Sequence, residues 1–191
     1  MNASKILLFL VLIAVLAFFL FTRLFTYASS EDAKKFFEED LRYTYPNADV
    51  REIISIEKVS DQNQDYVLKA WVSTNLSTPC PEKIEVQYSY PSRNFIGSAT
   101  KLVYGCVVCP TDKKNCHILY PEEAIIASHT YPQTEPVREF IKLFPKAKPQ
   151  VKFLEELDGY KNVWRVDWIE ENKTLSVYIN QADNSIIKIE S

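Results

Sequence analysis

The four cysteines are the residues of this sequence with the most evident capacity for chemistry. Cys106 and Cys109 form a Cys-x-x-Cys pair, Cys116 follows them, and Cys80 stands apart between two prolines. Four cysteines in one chain fit two disulfides in an oxidising compartment, and the sequence leaves all three pairings open. We therefore predict disulfides among these four residues.

Zinc binding is a second use of the same cysteines. It would take Cys106, Cys109 and Cys116 as thiolate ligands, with Cys80 or His117 as the fourth. The second Cys-x-x-Cys pair that is typical of structural zinc sites is missing. We favour disulfides and predict no bound metal and no cofactor.

A thiol redox switch is a third use, and it would depend on Cys106 and Cys109 alone. A low thiol pKa in such a pair needs a helix N-terminus, and Pro110 and the valines between the cysteines disfavour a helix there. This alternative stays open behind the other two.

The two histidines are poor candidates for catalysis. His117 abuts Cys116, and adjacent side chains do not readily act as nucleophile and base on each other. His129 ends a short helical segment that begins at Pro121, where a cation suits the helix dipole, so we predict a structural role. No Gly-x-Ser-x-Gly, His-Glu-x-x-His, phosphate-loop or dinucleotide motif is present. We predict no catalytic residues and no enzymatic activity.

An unbroken apolar run from Ile6 to Phe21 opens the chain. As a helix, the segment from Lys5 to Phe25 would be roughly 30 Å long, about the thickness of a bilayer's hydrocarbon core. It is either a retained signal anchor or a signal peptide cleaved near Ala28, and we favour the anchor, over residues 1–28. We therefore predict contact with membrane lipid through this helix.

The remainder of the chain is predicted to lie on the extracytoplasmic side of a single-pass membrane protein. The cysteines favour that side, and so do two glycosylation motifs, at Asn75 and at Asn172. The net charge is −3 and no basic run occurs, so nothing would neutralise phosphates. We predict no binding of nucleic acid.

Periodicity divides the exported part into two similar units. Residues 29–91 begin with an amphipathic helix containing Phe37 and Leu41, which either is capped separately at Ser29 or Ser30 or continues the apolar helix. After it, apolar residues alternate along three segments, which predicts strands at 51–59, 66–74 and 84–90.

The second unit, residues 135–191, repeats this order. A helical pattern of apolar residues from Val137 to Phe144 ends at Pro145, and strands are predicted at 151–157, 163–169, 175–179 and 185–189. Residues 92–134 form a cysteine-containing insertion and linker between the units. The predicted fold class is α+β, with a transmembrane helix followed by two units of one helix on an antiparallel sheet.

The segment from Val177 to Ile187, VYINQADNSII, resembles the hairpin near the end of PepSY domains, and residues 135–191 as a whole resemble such a domain, a module related in fold to cystatins. Asn184 stands near the place of the motif's turn glycine, and asparagine tolerates positive φ. Residues 31–91 resemble the same layout more faintly. The resemblance implies a helix on an antiparallel sheet, and a relation to protease propeptides, inhibitors or accessory modules of membrane proteins, with no catalytic residues.

These observations predict a membrane-anchored, non-enzymatic protein-binding module that modulates a protease or another envelope protein. Most of the aromatic residues are predicted to be core, but six tyrosines are expected to form an exposed surface, and tyrosine is favoured at interfaces, which supports an unidentified protein partner. These are Tyr43, Tyr45, Tyr88, Tyr90, Tyr131 and Tyr178. One alternative is a pilin-like or other structural subunit of a cell-surface assembly. The other is a zinc-binding or thiol-redox protein that uses the central cysteines.

Overall fold

The computed structural model of the chain describes residues 12, 13, 15, 16, 29–59, 65–91, 94–108 and 116–191. Four residues of the apolar run fall in this part, and they are helical and exposed: Leu12, Ile13, Val15 and Leu16. The rest of the predicted anchor lies outside the described residues. Among the residues described, no helix combines the length and the apolar character needed to cross a membrane.

The first described helix, α1, spans Ser30–Thr44 and starts at a side-chain cap. The Ser29 hydroxyl accepts the Asp32 N–H at 3.1 Å, and the Asp32 carboxylate accepts the Ser29 N–H at 3.1 Å. Such a reciprocal capping box satisfies two amide groups that a helix start leaves unpaired. Of the two alternatives left open by the sequence, the structure therefore has a helix capped separately at Ser29.

The first sheet is antiparallel and contains β1 (Val50–Lys58), β2 (Tyr66–Thr74), β3 (Glu82–Tyr90), β4 (Asn94–Phe95) and β5 (Thr100–Val103). The order is β1-β2-β3, and both β4 and β5 pair with β3. Helix α1 covers one face of the sheet, where Phe37 and Leu41 meet Leu68, Val86 and Tyr88 in an apolar cluster.

Helix α2 (Pro121–Thr130) begins with proline at its first position, and the Glu123 carboxylate accepts the N–H groups of Leu119 and Tyr120. A short 3-10 turn (Pro132–Thr134) connects it to α3 (Glu135–Leu143). Four strands follow as consecutive hairpins in the order β6-β7-β8-β9, with bounds Lys148–Leu157, Tyr160–Glu170, Lys173–Asn180 and Ile186–Glu190.

The second sheet has a larger apolar cluster than the first. It includes two tryptophans of β7, Trp164 and Trp168, and receives Ile125 from α2 and Val137 from α3. In the last hairpin Asn184 has a φ of 60°, so the positive φ predicted at this turn is confirmed.

The predicted fold class is wrong. The described residues form two antiparallel sheets and three short helices, and no described helix could cross a membrane. The prediction also gave the second sheet one helix, but two helices cover it. The additional one is α2, because Ala124 and Ile126 are fully buried in the core of the second sheet.

Candidate functional site

The register of β5 on β3 brings two cysteines that are distant in sequence to one end of the first sheet. Lys83 of β3 pairs with Val103 of β5 in antiparallel orientation. Cys80 precedes Lys83 by three residues and Cys106 follows Val103 by three, so the two strands carry them to the same place. After β5 the chain turns at Gly105 and Cys106, which have left-handed backbone conformations with φ of 72° and 57°.

Cys80 and Cys106 form a disulfide with a Cα–Cα distance of 4.8 Å. The predicted presence of a disulfide is therefore confirmed. Cys116 is disulfide-bonded as well, so none of the described cysteines is a free thiol. The fourth candidate, Cys109, lies outside the described residues.

The disulfide differs in exposure at its two ends. Cys80 is exposed in the loop between β2 and β3, whereas Cys106 is half-buried and packs against the core of the second sheet. The bond therefore connects one end of the first sheet to the second core.

His129 lies beside the buried end of this bond. Its Nε2 atom is 3.7 Å from Cys106 Sγ, and its Nδ1 atom is 3.0 Å from the Ile125 carbonyl oxygen. Since a carbonyl oxygen only accepts, Nδ1 carries the hydrogen and the Nε2 lone pair faces the sulfur. The edge of the ring stands against Trp168, with centroids 5.8 Å apart.

Burial lowers the pKa of His129 below its ordinary value of 6.5, and the nearby Arg138 lowers it further. The ring is half-buried between α2, β7 and the disulfide, and the structural role predicted for His129 stays a prediction. The neutral imidazole is the form that the surroundings favour at neutral pH. The sequence places His129 at a helix end, but gives no sign that the ring turns inward.

Cys80, Cys106 and His129 are also a group whose ligand atoms lie within 4.8 Å of one another. Two sulfurs and an imidazole nitrogen are ligands that zinc prefers, but the bond between the sulfurs leaves neither as a thiolate. The zinc alternative considered from the sequence had Cys80 or His117 as its fourth ligand and did not include His129; His117 is exposed.

A buried ion pair, which the sequence did not indicate, lies where α2 meets the back of the first sheet. Lys83 Nζ is 3.1 Å from Glu122 Oε1, and the side chains are 6% and 2% exposed. The Ser73 hydroxyl donates to the same carboxylate oxygen at 2.5 Å. The ammonium group also stands over two aromatic rings, at 5.0 Å from the Trp71 centroid and 5.3 Å from that of Tyr120.

Sequence reasoning missed this pair because each member has an ordinary position. A lysine that alternates with apolar residues on a strand usually faces solvent, and an acid after an N-terminal proline usually lies in a solvated first turn. Only the docking of α2 on the first sheet buries both Lys83 and Glu122. One carboxylate oxygen, Glu122 Oε2, is buried with no hydrogen-bond partner among the residues the structure describes.

A groove runs between α1 and β1 at the open edge of the first sheet. Its volume is about 440 Å³ and its lining is mostly charged: Lys34, Glu38, Leu41 and Arg42 from α1, and Arg51, Glu52 and Ile53 from β1. Nε of Arg51 donates to the Tyr45 carbonyl at 3.0 Å, and Nη2 donates to that of Pro46 at 2.9 Å. The guanidinium is thus held at the groove by two backbone carbonyls.

Both predicted glycosylation positions are exposed and lie in turns. Asn75 follows β2 with a φ of 61°, and Asn172 lies between β7 and β8. Their accessibility suits a modification that requires surface loops. Whether either is modified stays a prediction.

No protein-family model matches the chain, and no curated protein matches it. Among solved structures, a "putative lipoprotein" of Clostridium difficile 630 aligns with it at 11% identity, over 86% of this chain and 93% of that one, with a TM-score of 0.26. That score does not establish a common fold. The resemblance to PepSY domains stays a prediction.

Proposed function

We propose that this chain is a non-enzymatic binding domain on the extracytoplasmic side of the cell, and that it binds an extended segment of a partner protein at the edge of β1. The observation that carries the proposal is the groove between α1 and β1 beside an open strand edge. The oxidised state of Cys80, Cys106 and Cys116 supports the location, because disulfides persist in oxidising compartments.

The open edge supplies the hydrogen-bonding part of the interaction. Strand β1 pairs with β2 on one side, and no described strand pairs with its other side. Such an edge presents unpaired N–H and C=O groups, to which an extended peptide adds as a further strand. Ile54 and Val50 of β1 are 40% and 43% exposed and offer apolar contact to an added segment.

The groove supplies the selective part. Leu41 and Ile53 provide apolar lining. The lining has three cationic side chains, Lys34, Arg42 and Arg51, against two carboxylates, Glu38 and Glu52. Because Arg51 is already fixed by two backbone carbonyls, it loses little side-chain freedom when it meets a carboxylate. An acidic side chain in the partner segment therefore suits this site.

Site-specific photo-crosslinking in the organism of origin tests the proposal. A photoreactive residue replaces Glu52 at the groove or, as a control, Glu171 in the exposed turn between β7 and β8. We expect a discrete protein adduct from position 52 and none from position 171.

Charge reversal in the groove should remove that adduct. Arg42→Glu is the test variant and Lys142→Glu is its matched control, since both residues are basic and exposed in the last turn of a helix. Loss of the adduct in Arg42→Glu alone supports the groove. An adduct that survives Arg42→Glu, or that also forms from position 171, contradicts it.

A further inference from the structure

We propose that the Cys80–Cys106 disulfide is a thiol–disulfide exchange site, in which Cys80 reacts with an external thiol or disulfide and His129 acts as the base for Cys106. This reaction changes the redox state of the protein's own disulfide; it goes beyond the binding function proposed above and does not depend on it. The geometry that carries it is a disulfide between an exposed and a half-buried cysteine, and an imidazole nitrogen 3.7 Å from the sulfur of the half-buried one.

The difference in exposure assigns the two sulfurs their parts. Exchange requires in-line approach of a thiolate to one sulfur of the bond, so access decides which sulfur is attacked. Cys80 is exposed between two prolines, whereas Cys106 packs against the second core. Cys80 is thus the sulfur that meets the external partner, and Cys106 is the one that leaves or closes the bond.

The tautomer of His129 suits it to serve Cys106. Its Nδ1–H donates to the Ile125 carbonyl, which leaves the Nε2 lone pair for the Cys106 sulfur. Burial holds the ring neutral near pH 7, so the lone pair is free to take a proton. A protonated ring would have no lone pair with which to accept the proton.

The charged groups around the imidazole are few in the described part of the chain. From α3, Arg138 donates to the His129 carbonyl and lowers the pKa of the ring. From β7, the ring meets Trp168, which does not titrate. Glu135 of α3 is ion-paired with Arg138, and the sulfurs of Cys80 and Cys106 become titratable neighbours of the ring once they are reduced.

The oxidising reaction begins at Cys80. Its thiolate attacks one sulfur of a small disulfide such as glutathione disulfide, which forms a mixed disulfide and releases one glutathione thiolate. This thiolate takes up the proton that Cys80 gave up to solvent. His129 Nε2 then removes the proton of the Cys106 thiol.

Ring closure completes the reaction. The Cys106 thiolate attacks Cys80 Sγ, the bond to glutathione breaks, and the second glutathione leaves with the proton from His129. The protein dithiol has lost two electrons and glutathione disulfide has gained them. Reduction by an external thiol follows the same steps in reverse.

The gain from the base has an upper limit. A thiol with an ordinary pKa of about 8.5 is about 3% thiolate at pH 7, so complete deprotonation speeds attack by about thirtyfold at most. The gain disappears above pH 9, where the thiolate forms without a base. This pH dependence separates a proton-accepting role from a structural one.

The experiment follows reoxidation of the reduced full-length protein by glutathione disulfide, with peptide-level mass spectrometry of quenched samples. At pH 7, His129→Gln should close the Cys80–Cys106 bond about tenfold more slowly than the parent and accumulate glutathione on Cys80. At pH 9.5 the two should differ by less than twofold. His117→Gln, the matched control, should behave like the parent.

Three results would overturn the proposal. They are equal closure rates for His129→Gln and the parent at pH 7, an equal slowing at pH 7 and pH 9.5, and a disulfide that glutathione reduces only after denaturation. Should His129→Gln not fold, the parent alone decides the matter. The rate to measure is that of ring closure from the mixed disulfide between Cys80 and glutathione. A rate that does not change from pH 6.5 to 8 supports the base, whereas a tenfold rise per pH unit over that range excludes it.

Discussion

The two sheets of this molecule are both antiparallel and covered by helices, but they are stabilised by different interactions. In the first, α1 covers one face with a small apolar cluster, and the back meets α2 through an ion pair and a disulfide-bonded loop. In the second, α2 and α3 cover a larger cluster with two tryptophans. The difference indicates that the second sheet is stabilised mainly by apolar burial, whereas the first also depends on its attachments to the second.

Removing one large aromatic side chain from the core of each sheet tests this comparison most strongly. Trp168 and Phe37 are both fully buried, and Trp168 also donates its indole N–H to the Ser128 hydroxyl at 2.9 Å. We expect Trp168→Ala to lower the free energy of unfolding by about 5 kcal/mol and Phe37→Ala by about 3 kcal/mol. Urea denaturation followed by circular dichroism measures both values.

The control for these two variants is Tyr43→Ala on α1, because Tyr43 is 86% exposed and should contribute little. A larger loss for Phe37→Ala than for Trp168→Ala would reverse the comparison. Two separate unfolding transitions in the parent would show that the sheets do not stabilise each other.

The buried ion pair tests the attachment between the sheets. Lys83→Met leaves the Glu122 carboxylate buried without its cation, and we expect a loss of about 3 kcal/mol. Apolar residues of similar volume replace a buried ion pair well. The free energy of unfolding of the double variant Lys83→Met/Glu122→Leu should therefore lie within about 1 kcal/mol of that of the parent. Denaturant unfolding of the two single variants and the double variant gives the coupling energy.

Lys142→Met provides the matched control, since its partner Glu139 is exposed and the ion pair is screened by water. Little change is expected there. The contrary result is a loss in the free energy of unfolding of the double variant that equals the sum of the losses of the two single variants. In that case the side chains contribute independently and the pair does not couple the sheets.

The N-terminal cap of α1 has the smallest expected effect, and it acts on the first sheet alone. Ser29→Ala removes the acceptor for the Asp32 N–H, which should cost about 1 kcal/mol, whereas Ser30→Ala beside it should cost little. The hydrogen bonds from Ser29 lower the pKa of Asp32 below its ordinary value of 3.8. Their stabilisation is therefore present above that pH and is lost as the pH falls through the folded-state pKa.

Thermal unfolding of both serine variants between pH 3 and 7 measures this effect. The difference between Ser29→Ala and the parent should shrink toward pH 3. A difference that does not change with pH would mean that the Asp32 carboxylate is not part of the cap.

The strands were the part of the fold that the sequence predicted best. The segment 66–74 is β2 to the residue, because its alternating apolar residues face α1 and match a period of two. Helix α3 ends at Leu143, before Pro145, as the proline predicted. Strong periodicity over eight or more residues is thus sufficient to locate an element.

What the sequence could not predict is how residues 92–134 are shared between the sheets. Strand β5 has only four residues, too few for a periodic signal, and it joins the first sheet. The apolar residues of helix α2 are consecutive, from Ala124 to Ala127, and therefore point in different directions, so their pattern does not indicate which sheet the helix covers. The pairing of Cys80 with Cys106 depends on both placements, and therefore three pairings remained open.

The covalent bond between Cys80 and Cys106 also determines how the chain would respond to mechanical force. It closes a segment with a sequence separation of 26 that contains β3, β4 and β5. When the two ends of the oxidised chain are pulled apart, tension passes across the sulfur–sulfur bond and bypasses these strands. About 90 Å of contour length thus stays hidden from the pulling device, and reduction releases it.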